Sequence, residues 1–234
     1  MRKIQRLAAV GAMAAVTAVV GACGSAQGPA PASQAPAPAT QPAAPGPGAP
    51  APGGTGVTKI SDIFGPACSQ VPQQGPGSAQ AMANDPVATA ASHNPLLSAP
   101  AGQPSLTAAV TAAKLADTLD SAPALTVFAP SDSAFNELQA KNPGSFTQLT
   151  TAPNVASPDS QLAKILKYHV VGQRYDAASL VQAGTVDTLE GGKIQIGGTA
   201  AAPTVNGAPV LCGNIPTKNA TVFVIGQVLT PPAS

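Results

Sequence analysis

The chain has 234 residues, of which 9% are charged and 3% are aromatic, and it contains no tryptophan. Its formal net charge of +1 argues against a nucleic-acid-binding protein, which needs a basic face. A hydrophobic fraction of 44% argues against a wholly disordered chain, although 26 prolines and 23 glycines are present. These averages fit no single class of protein, so we expect segments of different kinds.

The first segment, residues 1–22, predicts a secretory signal peptide. Three basic residues open it (Arg2, Lys3 and Arg6), and an uncharged, mostly apolar run follows over residues 7–22. This run is shorter than the roughly 20 apolar residues of a membrane-spanning helix. A basic start followed by a short apolar run is typical of an export signal.

The end of this run, Val20-Gly21-Ala22-Cys23, resembles the lipobox of bacterial lipoproteins. The resemblance implies that the signal is cut before Cys23 and that the Cys23 sulfur is diacylated. An ordinary cleavage site with an incidental cysteine is the alternative. Two or three acyl chains anchor a protein stably, whereas one chain binds marginally. We therefore expect a lipid-anchored protein in the cell envelope, on the extracellular face of the cytoplasmic membrane.

Residues 24–54 predict a disordered tether behind the lipidated cysteine. The segment consists almost entirely of alanine, proline and glycine, and it has no charged, aromatic or branched aliphatic residue. Such a chain cannot bury enough apolar surface to offset its conformational entropy. Hydroxyl side chains among prolines are accessible, so Ser25, Ser33 and Thr40 are candidate O-glycosylation sites.

The remaining residues, 55–234, contain every aromatic side chain and are numerous enough for one hydrophobic core. We divide them into an N-terminal extension, residues 55–99, packed on a domain formed by residues 100–234. The two remaining cysteines, Cys68 and Cys212, lie in this exported part, where two thiols most often pair. A catalytic thiol is the alternative, but nothing in the sequence couples His93 or His169 to a cysteine.

Helices are predicted mainly in the first half of this part and strands in the second. Ser105 is expected to cap a helix running to residue 120, and Ser131 or Asp132 to cap another after a strand over 125–129. Ser157 is expected to cap a third helix, which gives way to a strand over 168–171. A hairpin is predicted over 185–196, followed by strands near 205, 210 and 221–229. This order indicates an α+β domain.

Three stretches of this domain resemble the fasciclin (FAS1) family: residues 126–135 (TVFAPSDSAF), 168–171 (YHVV) and 220–229 (ATVFVIGQVL). The resemblance implies a single FAS1-like β-sandwich wedge with packed helices and a helical N-terminal extension. Together with the lipobox, tether and cysteine pair, it is similar to the mycobacterial surface-lipoprotein and secreted-antigen branch.

The resemblance implies that Tyr168 and His169 form part of an adhesion surface, whereas plain packing and hydrogen bonding is the simpler interpretation of the same residues. As neighbours on a strand, one ring is expected to face inward and the other outward. Asp132 is interpreted as a helix cap rather than a catalytic acid. His93 is expected in an exposed loop.

We expect no enzyme, because no catalytic, phosphate-binding, metal-binding or redox motif is present in the sequence. No cofactor, metal site or catalytic residue is therefore predicted. The expected partners are the membrane, through the lipid anchor, and a host or cell-surface protein or glycan, with host innate receptors detecting the lipid. The protein is expected to be a monomer. A small-molecule or lipid carrier of the envelope is the alternative function.

Overall fold

The structure is a computed structural model, and it describes residues 56–100 and 103–232. Cys23, Ser25, Ser33 and Thr40 lie outside the described residues. All described residues belong to one compact unit, residues 47–234. Among their helices, none has the length and apolar character needed to cross a bilayer.

The described residues form eight α-helices, seven β-strands and two 3-10 helices. The 3-10 helices are Ile60–Asp62 and Pro66–Gln70. The α-helices are α1 (Ala79–Met82), α2 (Val87–His93), α3 (Leu106–Ala112), α4 (Ala116–Ser121), α5 (Asp132–Lys141), α6 (Ser145–Thr150), α7 (Gln161–Tyr168) and α8 (Ala177–Ala183). The strands are β1 (Leu125–Pro130), β2 (Val170–Val171), β3 (Thr185–Asp187), β4 (Lys193–Thr199), β5 (Ala202–Val205), β6 (Ala208–Pro216) and β7 (Ala220–Ile225). The predicted α+β class is confirmed.

The seven strands form one sheet in the order β2-β1-β7-β6-β5-β4-β3. β1 and β7 pair in parallel, and the other neighbours are antiparallel. The sheet almost closes on itself, because the Leu189 amide, just after β3, donates a 2.7 Å hydrogen bond to the carbonyl of Val170 in β2. The two edges of the sheet therefore meet beside the Tyr168-His169 motif.

Both faces of the paired strands β1 and β7 are buried, and all six residues of each strand belong to the interior. Alternate side chains point to opposite sides of a strand. Val127 and Val222 accordingly join a core shared with the helices, while Phe128 and Phe223 join a second core. The two phenyl rings are register partners, with centroids 6.0 Å apart.

The predicted helix over 105–120 is wrong in its length, because the chain forms two helices, α3 and α4. Ser105 caps α3 as predicted, its hydroxyl accepting from the Ala108 amide. The break lies at Lys114, which has a left-handed φ of 53°. The change of direction lets Leu115 and Leu119, which a continuous helix would place on another face, pack against the same core as α3.

Two further helix starts test the predicted caps. Ser131 caps α5 by accepting from the Ala134 amide, whereas Asp132 is the first residue of the helix. The third helix begins later than predicted, because Ser160 rather than Ser157 accepts from the Ala163 amide. Two serines three residues apart offer equivalent capping chemistry, so the local pattern could not distinguish them.

The predicted strand over 168–171 is also shorter than expected. Tyr168 is the last residue of α7, His169 continues in a helical backbone conformation (φ −83°, ψ 0°), and β2 begins at Val170. The predicted hairpin over 185–196 is confirmed as β3 and β4, paired through Val186 and Ile194.

Residues 56–100 pack on the sheet and are held there by hydrogen bonds and a disulfide. Phe64 and Gly213 form an isolated β-bridge, and the Val87 amide donates to Oδ1 of Asn219 at 3.0 Å. The predicted disulfide is confirmed: Cys68 and Cys212 are joined, with their Cα atoms 5.0 Å apart.

Candidate functional site

The Tyr168 ring is buried, with 2% of the residue exposed. Its hydroxyl donates to the carbonyl of Lys193 at 2.9 Å and accepts from Nδ2 of Asn206 at 2.9 Å. The space beside the ring is tight, because a Cβ added at Gly192 would lie 2.9 Å from its Cε2 atom. Tyr168 therefore links the end of α7 to the start of β4 and to the turn between β5 and β6.

Asn206 occupies the turn between β5 and β6, in the dipeptide Asn206-Gly207. Both residues have positive φ, 48° and 81°, as the two central residues of a type I′ hairpin turn require. The Asn206 side chain also accepts from the Gln195 amide at 2.8 Å. The sequence signal for this contact is the Asn-Gly pair between two apolar runs, but our strand assignment did not use it.

His169 is buried and held as a neutral imidazole. Its Nε2 atom lies 2.9 Å from the Leu229 backbone amide, which can only donate, so Nε2 must be the unprotonated nitrogen. The proton then lies on Nδ1, which donates to the Ile165 carbonyl at 2.8 Å. Burial lowers the pKa of His169 to about 4. Both ring nitrogens are therefore engaged within the protein.

The expectation that one of these two rings faces outward is wrong. His169 is also only 2% exposed, because it caps a helix instead of alternating along a strand. The role of the pair in adhesion stays a prediction, and their burial limits that role to an indirect one. Tyr168 and His169 can position a surface, but they cannot contact a partner directly while the domain keeps this conformation.

The surface that this motif positions is the turn between β3 and β4. Tyr168 holds the turn through the Lys193 carbonyl, and Val170 holds it through the Leu189 amide. Leu189 is 48% exposed, and an exposed ion pair of 2.6 Å joins Lys193 to Asp187. We call Asp187, Leu189 and Lys193 the hairpin surface.

The carboxyl of Asp132, which the sequence analysis interpreted only as a helix cap, is partly buried and has a shifted pKa. Its Oδ1 atom is buried and has no hydrogen-bond partner within the described residues. Burial raises the pKa of Asp132 to about 6, and the backbone amide of Ala99 offsets part of this effect. A carboxyl in this setting changes its charge near pH 6.

Arg174 is a structural residue that the sequence analysis missed. Its guanidinium donates to the carbonyls of Thr217 and Ala220 at 2.7 and 2.6 Å, and to the Thr221 hydroxyl at 3.2 Å. Burial lowers the pKa of Arg174. An isolated arginine carries no sequence signal for such a role, since its partners, two carbonyls and one hydroxyl, lie more than 40 residues away.

The other side chains considered in the sequence have clear positions. His93 is exposed, as predicted, but it is the last residue of α2 and does not lie in a loop. Its Nδ1 atom lies 3.9 Å from Oδ2 of Asp85. In the part of the chain that the structure describes, no three histidine, cysteine or acidic side chains cluster as metal ligands would. Asn219, in a glycosylation sequon, is 8% exposed, and its amide donates to the carbonyls of Leu119 and Ala122.

The likeness to solved structures concerns the fold. The structure of a FAS1 domain pair from the insect cell adhesion molecule Fasciclin I superposes with a TM-score of 0.53 at 16% sequence identity. The match covers 66% of this chain and 52% of that chain, so this chain spans about half of the insect pair.

The likeness in sequence is much closer. The immunogenic protein MPB70 of Mycobacterium bovis is 39% identical over 180 residues, which cover 74% of this chain and 84% of that protein. The cell surface glycolipoprotein MPB83 of the same species is 39% identical over 181 residues, or 74% of each chain. The family model named Fasciclin domain matches residues 102–231. On these matches, this chain belongs to the fasciclin domain family.

Proposed function

We propose that this chain is a bacterial surface lipoprotein that presents its fasciclin domain, without catalysis, as an adhesion and recognition module. Membership of the fasciclin family and the likeness to mycobacterial surface antigens support a surface protein of adhesion type. The observation that carries the proposal is the combination, in one sequence, of that domain with a lipobox and an uncharged tether.

The lipid anchor at Cys23 fixes the location in this proposal, on the extracellular face of the cytoplasmic membrane. Acyl chains would hold the protein there, and residues 24–54 would carry the domain outward. Detergent phase partitioning of the protein and of Cys23→Ala tests the anchor. The unchanged protein should enter the detergent phase and the variant should not. A variant that still partitions into detergent would contradict lipidation at this residue.

The recognition surface in this proposal is the hairpin surface, Asp187, Leu189 and Lys193. It places an exposed apolar side chain beside an exposed ion pair, and protein interfaces likewise surround apolar side chains with a polar rim. In the same proposal, host innate receptors detect the lipid part. The domain and the lipid therefore have separate partners.

Binding to whole cells tests the hairpin surface. Leu189→Ser should reduce binding, whereas Ile60→Ser, a matched change of an exposed aliphatic residue in the 3-10 helix Ile60–Asp62, should leave it unchanged. Equal binding by both variants would show that the recognition surface lies elsewhere on the protein. Absence of binding by the unchanged protein would contradict the adhesion function itself.

A carrier of small molecules or lipids is the alternative, and the cavity beside His169 gives it no support. This cavity is lined by apolar atoms, including those of Leu166 and Val170, but its volume is only about 30 Å³. Pockets that enclose ligands usually measure about 300–1,000 Å³. Native mass spectrometry that found lipid bound inside the purified protein would favour the carrier instead.

A further inference from the structure

A cleft of about 420 Å³ lies between α6 and the start of α7, on the helical side of the domain. Its volume falls in the usual range of ligand pockets, about 300–1,000 Å³. It is formed by helix α6, the turn residues that follow it and the first turn of α7. The hairpin surface contributes no residue to it.

The chemistry of the cleft is polar and uncharged. No acidic, basic or histidine side chain lines it, so it has no charged group to pair with a phosphate, a carboxylate or a cation. Three amide side chains line it instead, those of Gln148, Asn154 and Gln161. None of these amides makes a side-chain hydrogen bond within the described residues, so their donors and acceptors are available to a ligand.

Ser145 supplies the second observation. The residue belongs to the lining, and its Oγ atom is turned away from solvent, with no hydrogen-bond partner in residues 56–100 and 103–232. Ser160, also in the lining, differs, because its hydroxyl donates to the Val155 carbonyl and accepts from the Ala163 amide. A buried hydroxyl without a partner is unfavourable, and native proteins leave few of them. A ligand hydroxyl would satisfy it once the Ser145 side chain rotates to a staggered rotamer that faces the cleft.

We infer that this cleft binds a neutral glycan and is a second recognition site, separate from the hairpin surface; the inference rests on the proposed adhesion function. Sugar hydroxyls both donate and accept hydrogen bonds, as the amides of Gln148, Asn154 and Gln161 do. The apolar side chains of Leu149 and Leu162 offer a surface for the C–H face of a sugar ring. An extended peptide would instead use a free strand edge, and helices and turns form this cleft.

The test uses the whole chain purified in mild detergent and an array of neutral, amino and acidic oligosaccharides. One set on the array comes from bacterial cell-wall polysaccharides and another from animal-cell glycans, which separates a ligand of the bacterial envelope from a host ligand. Neutral members should bind, and acidic members should bind no better than an unrelated protein binds them. Binding to none of the neutral sugars, or to peptides alone, would overturn the inference.

Substitutions locate the binding. Gln148→Ala and Gln161→Ala should each weaken affinity about five-fold, the effect of one lost neutral hydrogen bond. Gln74→Ala is the matched control, because Gln74 is exposed and does not line the cleft. Equal affinity in the two cleft variants and the control would place any sugar site elsewhere.

Ser145→Ala separates a binding role from a structural one. Removing a buried hydroxyl without a partner should leave the thermal midpoint of the free protein unchanged or higher, while sugar affinity falls. A lower midpoint together with unchanged affinity would give Ser145 a structural role and contradict the inference. Whole-cell binding by the same variants keeps the two proposals distinct. Cell binding without any sugar binding would overturn the glycan site and leave the adhesion function standing.

Discussion

The backbone amide of Leu229 donates a hydrogen bond to Nε2 of His169 across 60 residues of sequence, at 2.9 Å. This bond ties the segment after the last strand to the end of α7. It requires an unprotonated Nε2, because a protonated imidazole has two donors and no acceptor. The attachment of this segment is therefore sensitive to pH.

His169 should make the stability of the domain fall in acid. Its pKa is lowered from 6.5 to about 4 by burial, so the folded state binds fewer protons than the unfolded state between these values. The stability that this group contributes is complete above about pH 6.5 and declines as the pH falls to about 4. The contribution of His169 should fall by roughly 3 kcal/mol across this range, measured by urea unfolding as the difference between the unchanged protein and His169→Gln.

Two variants identify the group responsible. His169→Gln has no titrating side chain and should lose this pH dependence, at the cost of lower stability at neutral pH. His93→Gln removes the exposed histidine of α2 and should keep the pH dependence of the unchanged protein. A pH dependence in His169→Gln identical to that of the unchanged protein would show that another group causes the loss in acid.

Asp132 should act in the opposite direction. Its folded-state pKa is raised from 3.8 to about 6, so the folded state holds the proton more tightly than the unfolded state. Folding is therefore disfavoured as the pH rises from about 4 to about 6, and the full cost persists above that range. Asp132→Asn should remove this cost and stabilise the domain at neutral pH, after subtraction of about 0.3–1 kcal/mol for the lost charge at the start of α5.

Urea unfolding of Asp132→Asn and of the unchanged protein near neutral and acidic pH measures this difference. The matched control is Asp159→Asn, which changes an exposed acidic residue outside any helix. A stabilisation of Asp132→Asn that is equal at both pH values would contradict the assigned cause, because protonation would then play no part in it.

The sequence predicted most strands and several caps because these depend on local patterns, although the strand expected over 221–229 ends earlier, at Ile225. The residues of β1 and β7 read as apolar β runs, and Ser105 and Ser131 stand directly before their helices. The expectation that one ring of the Tyr168-His169 pair faces outward was wrong because the boundary between α7 and β2 depends on tertiary bonds, such as that of the Tyr168 hydroxyl to Lys193. Local propensity contains no information on such distant partners.

The candidate sites show the same division. The Tyr-His pair was recognisable in the sequence, but its burial was not, because it follows from contacts with Asn206 and Leu229. The cleft of Ser145, Gln148 and Gln161 has no motif, since it exists only where α6 and α7 pack together. Amides and serines at irregular spacing resemble any exposed helical surface in sequence.

The hydroxyl of Tyr168 should contribute measurably to stability. Tyr168→Phe removes a bond to the Lys193 carbonyl and leaves Nδ2 of Asn206 without its acceptor. Loss of a partner for a half-buried polar group costs about 1–3 kcal/mol. Chemical denaturation should show this loss. Tyr175→Phe is the matched control, because its hydroxyl bonds only to the exposed Gln173 side chain and should cost less than about 0.5 kcal/mol. Equal losses in both variants would contradict the bridging role of Tyr168.

The Cys68–Cys212 disulfide should contribute more to stability than any single hydrogen bond. It closes a loop across 144 residues, and the loss of chain entropy on closing a loop of that length is worth about 5 kcal/mol. Cys68→Ala combined with Cys212→Ala should therefore lower the free energy of unfolding by about 2–5 kcal/mol. Reductant should lower the stability of the unchanged protein by a similar amount and leave the double variant unaffected. Typical domains unfold at a cost of only about 5–15 kcal/mol, so the expected loss is a large share of the total stability. A double variant as stable as the unchanged protein would mean that packing of residues 56–100, rather than the covalent bond, holds this segment on the sheet.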